Sequence, residues 1–153
     1  MILFLDFDGV ISTNRAWLAQ KDIDDFYLRW IDPIAVRMIA DLCAQYNFQI
    51  VIISTWRKFG KAECTTALGR ANIYIHNDWR TEEIWPKGPN GSAGSRPAEI
   101  DDWLARNGNP DYLIIDDDSF NWTEEQAARW IKTDTCNGFS TENYEEVTNR
   151  MTK

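Results

Sequence analysis

The first ten residues, Met1–Val10, constrain the fold of this chain more than any other segment. The apolar run Ile2–Leu5 is too short for a helix and is typical of a buried strand. It ends abruptly in Asp6, Asp8 and Gly9. Because side chains alternate along a strand, two carboxylates that are two residues apart point to the same side. A buried strand has little reason to end in paired acids unless they bind a cation or attack a substrate, so we expect the chemistry here.

The length and charge of the chain limit what it can be. At 153 residues, of which 44% are hydrophobic, residues 1–153 are expected to form a single globular domain. The 16 basic and 24 acidic residues give a net charge of −8. Proteins that follow a long duplex usually carry a basic face, so this charge argues against extended duplex binding. Binding of a single phosphorylated end stays open.

The sequence also favours a location. No apolar stretch approaches the roughly 20 residues that a membrane span needs, so no membrane partner is expected. Asp6 and Asp8 interrupt the N-terminus before a signal-peptide core can form. Cys43, Cys64 and Cys136 are widely spaced and odd in number, which indicates neither a zinc site nor a disulfide framework. These features predict a reducing, cytoplasmic setting, whereas the oligomeric state cannot be predicted.

Apolar periodicity predicts alternating strands and helices. Segments 11–31 and 86–95 fall outside this pattern: the first is long enough for a small cap or flap, and the second is rich in Gly and Pro and predicts a loop. The alternation predicts an α/β three-layer sandwich, with a parallel sheet of about five strands and helices on both faces. The predicted strands are 2–5, 48–53, 73–75, 112–115 and 130–132, and the predicted helices are about 33–46, about 57–69, 97–106, one capped by Thr123 and one capped by Ser140.

Polar residues follow three of the predicted strands. Asp6 and Asp8 end the first, Ser54 and Thr55 end the second, and the acidic run 116–118 ends the fourth. In a parallel α/β sheet these ends meet in one crevice. Two carboxylates about 4 Å apart repel each other by roughly 4 kcal/mol at an effective dielectric constant near 20, so such a cluster would be costly without a divalent cation. Oxygen ligands in small number favour Mg²⁺, which keeps water ligands and pairs with substrate phosphate.

A metal-bound phosphate beside a strand-end carboxylate suggests transfer of a phosphoryl group to that carboxylate. Ser54 and the backbone N–H groups after it could hold the phosphoryl oxygens. Arg96, at the start of the predicted helix 97–106, is placed to balance the negative charge. Arg57 is a candidate substrate contact, with a surface ion pair as its alternative. Trp56, Trp79 and Trp85 are the tryptophans considered for stacking on a base.

These residues resemble the motifs of the haloacid dehalogenase (HAD) superfamily of phosphohydrolases. Asp6–Val10 is similar to the first motif, Ser54 to the second, Arg96 to the third, and Asp116 with Asp117 to the fourth. The resemblance spans nearly the whole chain and is narrower to the branch found in Swiss Army Knife RNA repair proteins, whose small stand-alone versions are common in phages and bacteria. The segments that carry the narrower resemblance are Ser54–Arg57, Arg96 with Glu99-Ile100 and Trp103-Leu104, Ile115–Asp118, Lys132–Asp134 and Gly138–Ser140.

The resemblance implies a HAD-like Rossmannoid fold with a minimal cap, and a role for each matching residue. Asp6 would be the nucleophile that forms an aspartyl-phosphate, and Asp8 would protonate the leaving group and then activate water. Mg²⁺ would be held by Asp6, the backbone carbonyl of Asp8 and an acid of the fourth motif, with Asp117 favoured and Asp116 beside it. Ser54 would bind phosphate, and the adjacent Thr55 is a further candidate for binding phosphate or substrate. Arg96 replaces the commoner lysine, and Lys87 is a possible substitute for it.

The substrate stays open at this level. The resemblance implies a phosphorylated partner such as a nucleotide or a nucleic-acid end, whereas the charge of −8 favours a small nucleotide or a sugar phosphate. A small cap would leave the site open to bulky substrates. A non-catalytic binding or regulatory protein with the same fold is the second class of hypothesis, and the presence of Asp6, Asp8 and Ser54 argues against it.

Overall fold

A computed structural model describes residues 1–84 and 95–153 of the chain. The described part contains one five-stranded sheet, in which every neighbouring pair of strands is parallel. The strands are β1 (Ile2–Leu5), β2 (Gln49–Ile52), β3 (Ile75–Arg80), β4 (Tyr112–Asp116) and β5 (Trp130–Lys132). Their order across the sheet is β3-β2-β1-β4-β5. The parallel α/β sheet predicted from the sequence is therefore confirmed.

Helices cover both faces of the sheet. Leu3 and Leu5 of β1 belong to one core, together with residues of the helix Pro33–Tyr46. Phe4 belongs to the core on the opposite face, around Trp103. This is the period-two alternation of a buried strand. The α-helices of the described part are α1 (Asn14–Ala19), α2 (Phe26–Trp30), α3 (Pro33–Tyr46), α4 (Lys61–Leu68), α5 (Arg96–Arg106), α6 (Glu124–Arg129) and α7 (Thr141–Met151), and 3₁₀ helices cover Thr55–Phe59 and Gly69–Tyr74.

Local signals in the sequence place several helix starts correctly. Asp32 caps α3 through its side chain, with proline at the first helical position. Thr123 and Gln126 form the predicted capping box of α6, and Ser140 caps α7. These starts follow from short-range hydrogen bonds between a side chain and the next turn, which is why the sequence alone predicts them.

Two predicted elements are wrong in their bounds. The predicted helix 57–69 is split into the 3₁₀ helix Thr55–Phe59 and α4, because Gly60 between them has a φ of 104° that no regular helix contains. The predicted strand 73–75 lies mostly in the 3₁₀ helix Gly69–Tyr74, and β3 begins only at Ile75. Ile73 is 75% exposed, so its apolar character does not reflect burial in the sheet.

The strand order fixes where a ligand site can form. The chain builds β1, β2 and β3 towards one edge and then crosses to β4 and β5 on the other side of β1. The carboxyl ends of β1 and β4 therefore flank a topological switch point, which is where open α/β sheets bind ligands. The segment 11–31, predicted as a small cap or flap, contains α1 and α2. In the described ranges, no helix combines the length and the apolar character needed to cross a membrane.

Candidate active site

Three side chains form an ion cluster at the switch point: Asp6, Arg96 and Asp116. Asp6 follows β1, Asp116 ends β4, and both carboxylates are buried. Nη1 of Arg96 lies 3.1 Å from Oδ2 of Asp6 and 2.5 Å from Oδ2 of Asp116. The guanidinium also lies over the ring of Phe120, with 4.7 Å between Cζ and the ring centroid. One cation at the start of α5 therefore links the two strand ends, in the place the sequence suggested for Arg96.

Burial makes this cluster electrostatically costly. Burial raises the pKa of Asp6, and the Arg96 guanidinium opposes that shift. Burial also raises the pKa of Asp116 to about 7; the nearby Asp6 carboxylate adds to this shift, whereas Arg96 opposes it. One arginine thus compensates two buried acids only in part. A site in which two acids resist being charged together is well suited to a further cation.

Three carboxylates of the described residues fit a divalent metal ion. Asp6, Asp116 and Asp117 each offer one carboxylate oxygen, and these oxygens lie within 4.8 Å of one another. Hard, anionic oxygen donors in small number suit Mg²⁺, which completes its shell with water and phosphate oxygens. Both acids of the predicted fourth motif, Asp116 and Asp117, belong to this cluster, so the geometry is compatible with either of them as a metal ligand.

Gly9 permits the close approach of Asp117 to the loop after β1. Its φ is 72°, a conformation that L-residues rarely adopt. A Cβ atom at this position would lie 2.3 Å from both Cγ and Oδ2 of Asp117. Only a glycine therefore brings the first loop against the acid that follows β4. The sequence alone does not reveal this role of Gly9, because the contact depends on the packing of β1 beside β4.

The turn after β2 brings Ser54 beside the ion cluster. Ser54 is fully buried, and its Oγ accepts a hydrogen bond from the backbone N–H of Trp56 at 3.2 Å, which caps the 3₁₀ helix Thr55–Phe59. Its hydroxyl also contacts the Asp6 carboxylate, where it favours the charged form. Thr55 is half-buried at the first position of this 3₁₀ helix. The two polar residues predicted to bind phosphate thus lie at the adjacent strand end.

Trp56 holds the side chain of Asp8. Its indole Nε1–H donates a hydrogen bond to Oδ1 of Asp8 at 3.0 Å, across 48 positions of sequence. Trp56 itself is buried, whereas Asp8 is exposed. Trp56, one of the candidates for stacking on a base, thus uses its indole N–H group to orient a carboxylate. Of the other tryptophans considered, Trp79 packs against the core, and Trp85 lies outside the described residues.

Arg57 does not lie at the surface of the site. Its guanidinium is buried and forms an ion pair with Glu99 of α5, with 2.9 Å between Nη2 and Oε2. It also donates to the backbone carbonyl of Ile53, directly before Ser54. Both sequence-level interpretations of Arg57, a substrate contact and a surface ion pair, are therefore corrected to a buried support of the turn after β2. Lys87, the alternative to Arg96, lies outside the described residues.

The segment after β5 supports the loop that carries Asp8. Oγ1 of Thr133 donates a hydrogen bond to the carbonyl of Gly9 at 2.6 Å, and the backbone N–H of Phe139 donates to the carbonyl of Val10 at 2.9 Å. Gly138, with a φ of 70°, leaves the space that this contact needs, since a Cβ there would lie 2.4 Å from the Val10 carbonyl oxygen. The region 132–140, one of the segments that carry the narrower resemblance, thus buttresses the loop after β1.

Comparisons with known proteins bear on this arrangement. The model of a family described as "HAD domain in Swiss Army Knife RNA repair proteins" matches residues 2–144. The match covers the ion cluster, the turn after β2 and the buttress after β5. Neither the curated proteins nor the solved structures gave a match.

Proposed function

The chain belongs to the family of HAD domains of Swiss Army Knife RNA repair proteins, and from that premise we propose that it is a Mg²⁺-dependent phosphomonoester hydrolase acting on nucleotides or phosphorylated nucleic-acid ends. The observation that carries the proposal is the ion cluster at the switch point. Asp6, a potential nucleophile, lies beside a cation, a hydroxyl and two further acids. A binding protein would have no need to bury this combination.

Two half-reactions follow from the arrangement. A carboxylate oxygen of Asp6 attacks phosphorus, the bond between phosphorus and the ester oxygen breaks, and Asp8 gives its proton to the departing oxygen. A water molecule then gives a proton to Asp8 and attacks the phosphorus of the aspartyl-phosphate, which releases inorganic phosphate and restores Asp6. Trp56 fixes the Asp8 carboxylate through its indole N–H, so that the same group serves both proton transfers.

The remaining residues of the site bind the phosphoryl group and the metal ion and balance their charges. Ser54 and the N–H groups of the turn after β2 are assigned to the phosphoryl oxygens, and Arg96 offsets their negative charge. Asp6, Asp116 and Asp117 would hold Mg²⁺, with the backbone carbonyl of Asp8 as the fourth protein ligand suggested by the family resemblance. When bound, the ion supplies Lewis-acid stabilisation of the phosphoryl oxygens.

An assay of phosphate release with and without Mg²⁺ tests the proposal. Wild-type protein is expected to release phosphate from phosphomonoesters only with Mg²⁺, and Asp6→Asn is expected to lower kcat by about 10⁴-fold or more. Asp111→Asn is the matched control, because Asp111 lies just before the opposite end of β4 with an 82% exposed side chain. Equal activity of wild type and Asp6→Asn would reject the mechanism and favour a binding or regulatory protein.

Salt dependence separates the two kinds of substrate. A polynucleotide contacts the protein through several phosphates, so the rate of its hydrolysis should fall steeply as added salt weakens those contacts. A mononucleotide or a small metabolite should show little such loss. Because the chain carries a net charge of −8, we expect the weaker dependence for the preferred substrate.

A further inference from the structure

A pocket of aromatic side chains lies next to the proposed general acid. We name it the aromatic pocket and define it by Phe26, Tyr27, Trp30, Trp56 and Phe59. It has a volume of about 360 Å³, within the range of small-molecule sites, and Asp8 also lines it. Any group that enters it therefore lies beside the residue that would protonate the leaving group.

The faces of this pocket are unusually exposed. Phe26 is 60% exposed, Tyr27 is 52% exposed and Phe59 is 47% exposed. The ring centroid of Tyr27 lies 5.5 Å from that of Phe26 and 5.4 Å from that of Phe59. A contiguous exposed apolar patch is typical of a surface that contacts a partner or a ligand, and the presence of Asp8 in the wall favours a ligand here. Here the patch joins α2 of segment 11–31 to the 3₁₀ helix after β2.

The charges around the pocket restrict its occupant. Among the described residues, Asp8 is the charged residue that lines it, and the adjoining cavity of about 410 Å³ adds Asp25 and Glu63. A negatively charged group inside the pocket, such as a second phosphate on a sugar, would be repelled by these acids. Flat, uncharged rings would instead stack on the exposed faces, and Asn14 at the pocket wall offers an amide for hydrogen bonding.

We propose that the aromatic pocket binds the nucleobase of the leaving group. This inference rests on the proposed hydrolase function and assigns a place on the protein to the base of its substrate, which is a nucleoside monophosphate or the phosphorylated terminal nucleotide of a nucleic acid. The two sources share one chemistry, a base attached through a sugar to the phosphate that Asp6 attacks. Tyr27 and Phe59 supply the stacking faces, and Trp56 contributes its edge while it orients Asp8.

The test compares substrates that carry a base with a substrate that carries none. We would measure kcat/KM for 5′- and 3′-nucleoside monophosphates and for glycerol 2-phosphate, which has no ring. In Tyr27→Ala and in Phe59→Ala, the ratio of nucleotide to glycerol 2-phosphate activity is expected to fall about tenfold, mainly through a higher KM. Tyr27→Phe should keep the ratio, since stacking requires only the ring. Leu18→Ala is the matched control, because Leu18 is 65% exposed on segment 11–31 and does not line the pocket.

Each outcome decides the inference separately from the hydrolase proposal. An unchanged ratio in both alanine variants, with glycerol 2-phosphate still hydrolysed, would overturn the base pocket and leave the hydrolase standing. If nothing is hydrolysed, calorimetric titration with adenosine decides: binding that Tyr27→Ala abolishes supports the pocket, and no binding overturns it. Oligonucleotides phosphorylated at either end, compared with mononucleotides, distinguish the two sources of the base.

Discussion

The ion cluster and the aromatic pocket are built in opposite ways, although Asp8 stands between them in the mechanism. The ion cluster is buried, charged and held by the ends of sheet strands. The aromatic pocket is exposed and apolar, and it comes from α2 and a short 3₁₀ helix. A phosphoryl group is the same in every phosphomonoester, whereas the leaving group varies. The contrast suggests that the invariant chemistry belongs to the sheet and that substrate choice belongs to the elements above it.

Among variants that keep the Asp6 nucleophile, removal of the charge of Arg96 should have the largest effect and should affect all substrates alike. In Arg96→Met we expect kcat to fall about 10³-fold, ~4 kcal/mol in the barrier, for nucleotides and for glycerol 2-phosphate. Steady-state kinetics on both substrates would show this. Arg106→Met on the same helix is the control, since Arg106 pairs with Asp78 and Asp102 at the surface.

Circular dichroism would verify that Arg96→Met is folded, and Arg96→Lys should recover part of the activity through its retained charge. If kcat of Arg96→Met fell for nucleotides only, the proposed division of roles between the ion cluster and the aromatic pocket would be wrong. Full activity in Arg96→Met would direct attention to Lys87.

Disruption of the buried ion pair behind the turn after β2 should reduce stability. Glu99→Gln leaves the Arg57 guanidinium buried without its counter-charge, which we expect to lower the free energy of unfolding by about 3 kcal/mol. Urea unfolding followed by circular dichroism would measure this, with the exposed Glu145→Gln as control. A change below about 0.5 kcal/mol would show that Arg57 finds another partner and that the turn does not depend on this pair.

Two glycines with similar backbone angles offer a sharper comparison. Gly9 and Gly108 have φ values of 72° and 79°, but a Cβ on Gly108 would meet no atom within 4 Å, whereas one on Gly9 would collide with Asp117. Both alanine variants should lose roughly 1 kcal/mol of stability through strain. Gly9→Ala should in addition displace Asp117 and raise the Mg²⁺ concentration needed for half-maximal activity about tenfold. Equal Mg²⁺ requirements in the two variants would contradict the role of Asp117 as a ligand.

The smallest expected effect concerns pH. Burial raises the pKa of Asp116 to about 7. Between about pH 4 and about pH 7, the folded protein therefore keeps a proton on Asp116 that the unfolded chain has lost. The stability of the metal-free protein should therefore fall as pH rises from about 4 to about 7, and the full penalty should persist above that window. Mg²⁺ offsets the penalty, so it should raise the melting temperature by a few degrees near pH 8 and by less near pH 5.5.

Thermal melts with and without about 10 mM Mg²⁺ would measure this difference. In Asp116→Asn the pH dependence of the Mg²⁺ effect should weaken, and the part that remains should come from Asp6, whose pKa burial also raises. An equal Mg²⁺ effect at both pH values in wild type would place the ion away from Asp116.

The ion cluster was largely predictable from the sequence, whereas the aromatic pocket was not. Asp6 and Asp116 follow apolar runs, and the topology of a parallel sheet brings such strand ends together. The bond between Trp56 and Asp8 and the inward turn of Arg57 depend instead on which way side chains leave a short 3₁₀ helix, which no periodicity encodes. The exposure of Phe26 and Tyr27 could not be predicted from periodicity either. Two adjacent aromatic residues in the acidic segment 11–31 were the sequence feature that could have indicated a binding surface.

The buttress between the segment after β5 and the loop after β1 also has a consequence for folding in the cell. Thr133 and Gly9 are 124 positions apart, yet they share a hydrogen bond that fixes the loop of Asp8. At about 5–20 residues per second, a ribosome needs roughly 6–25 s to pass from one to the other. The loop that carries Asp8 is thus synthesised well before the segment that fixes it, and the nascent chain cannot complete this buttress until Thr133 has been made.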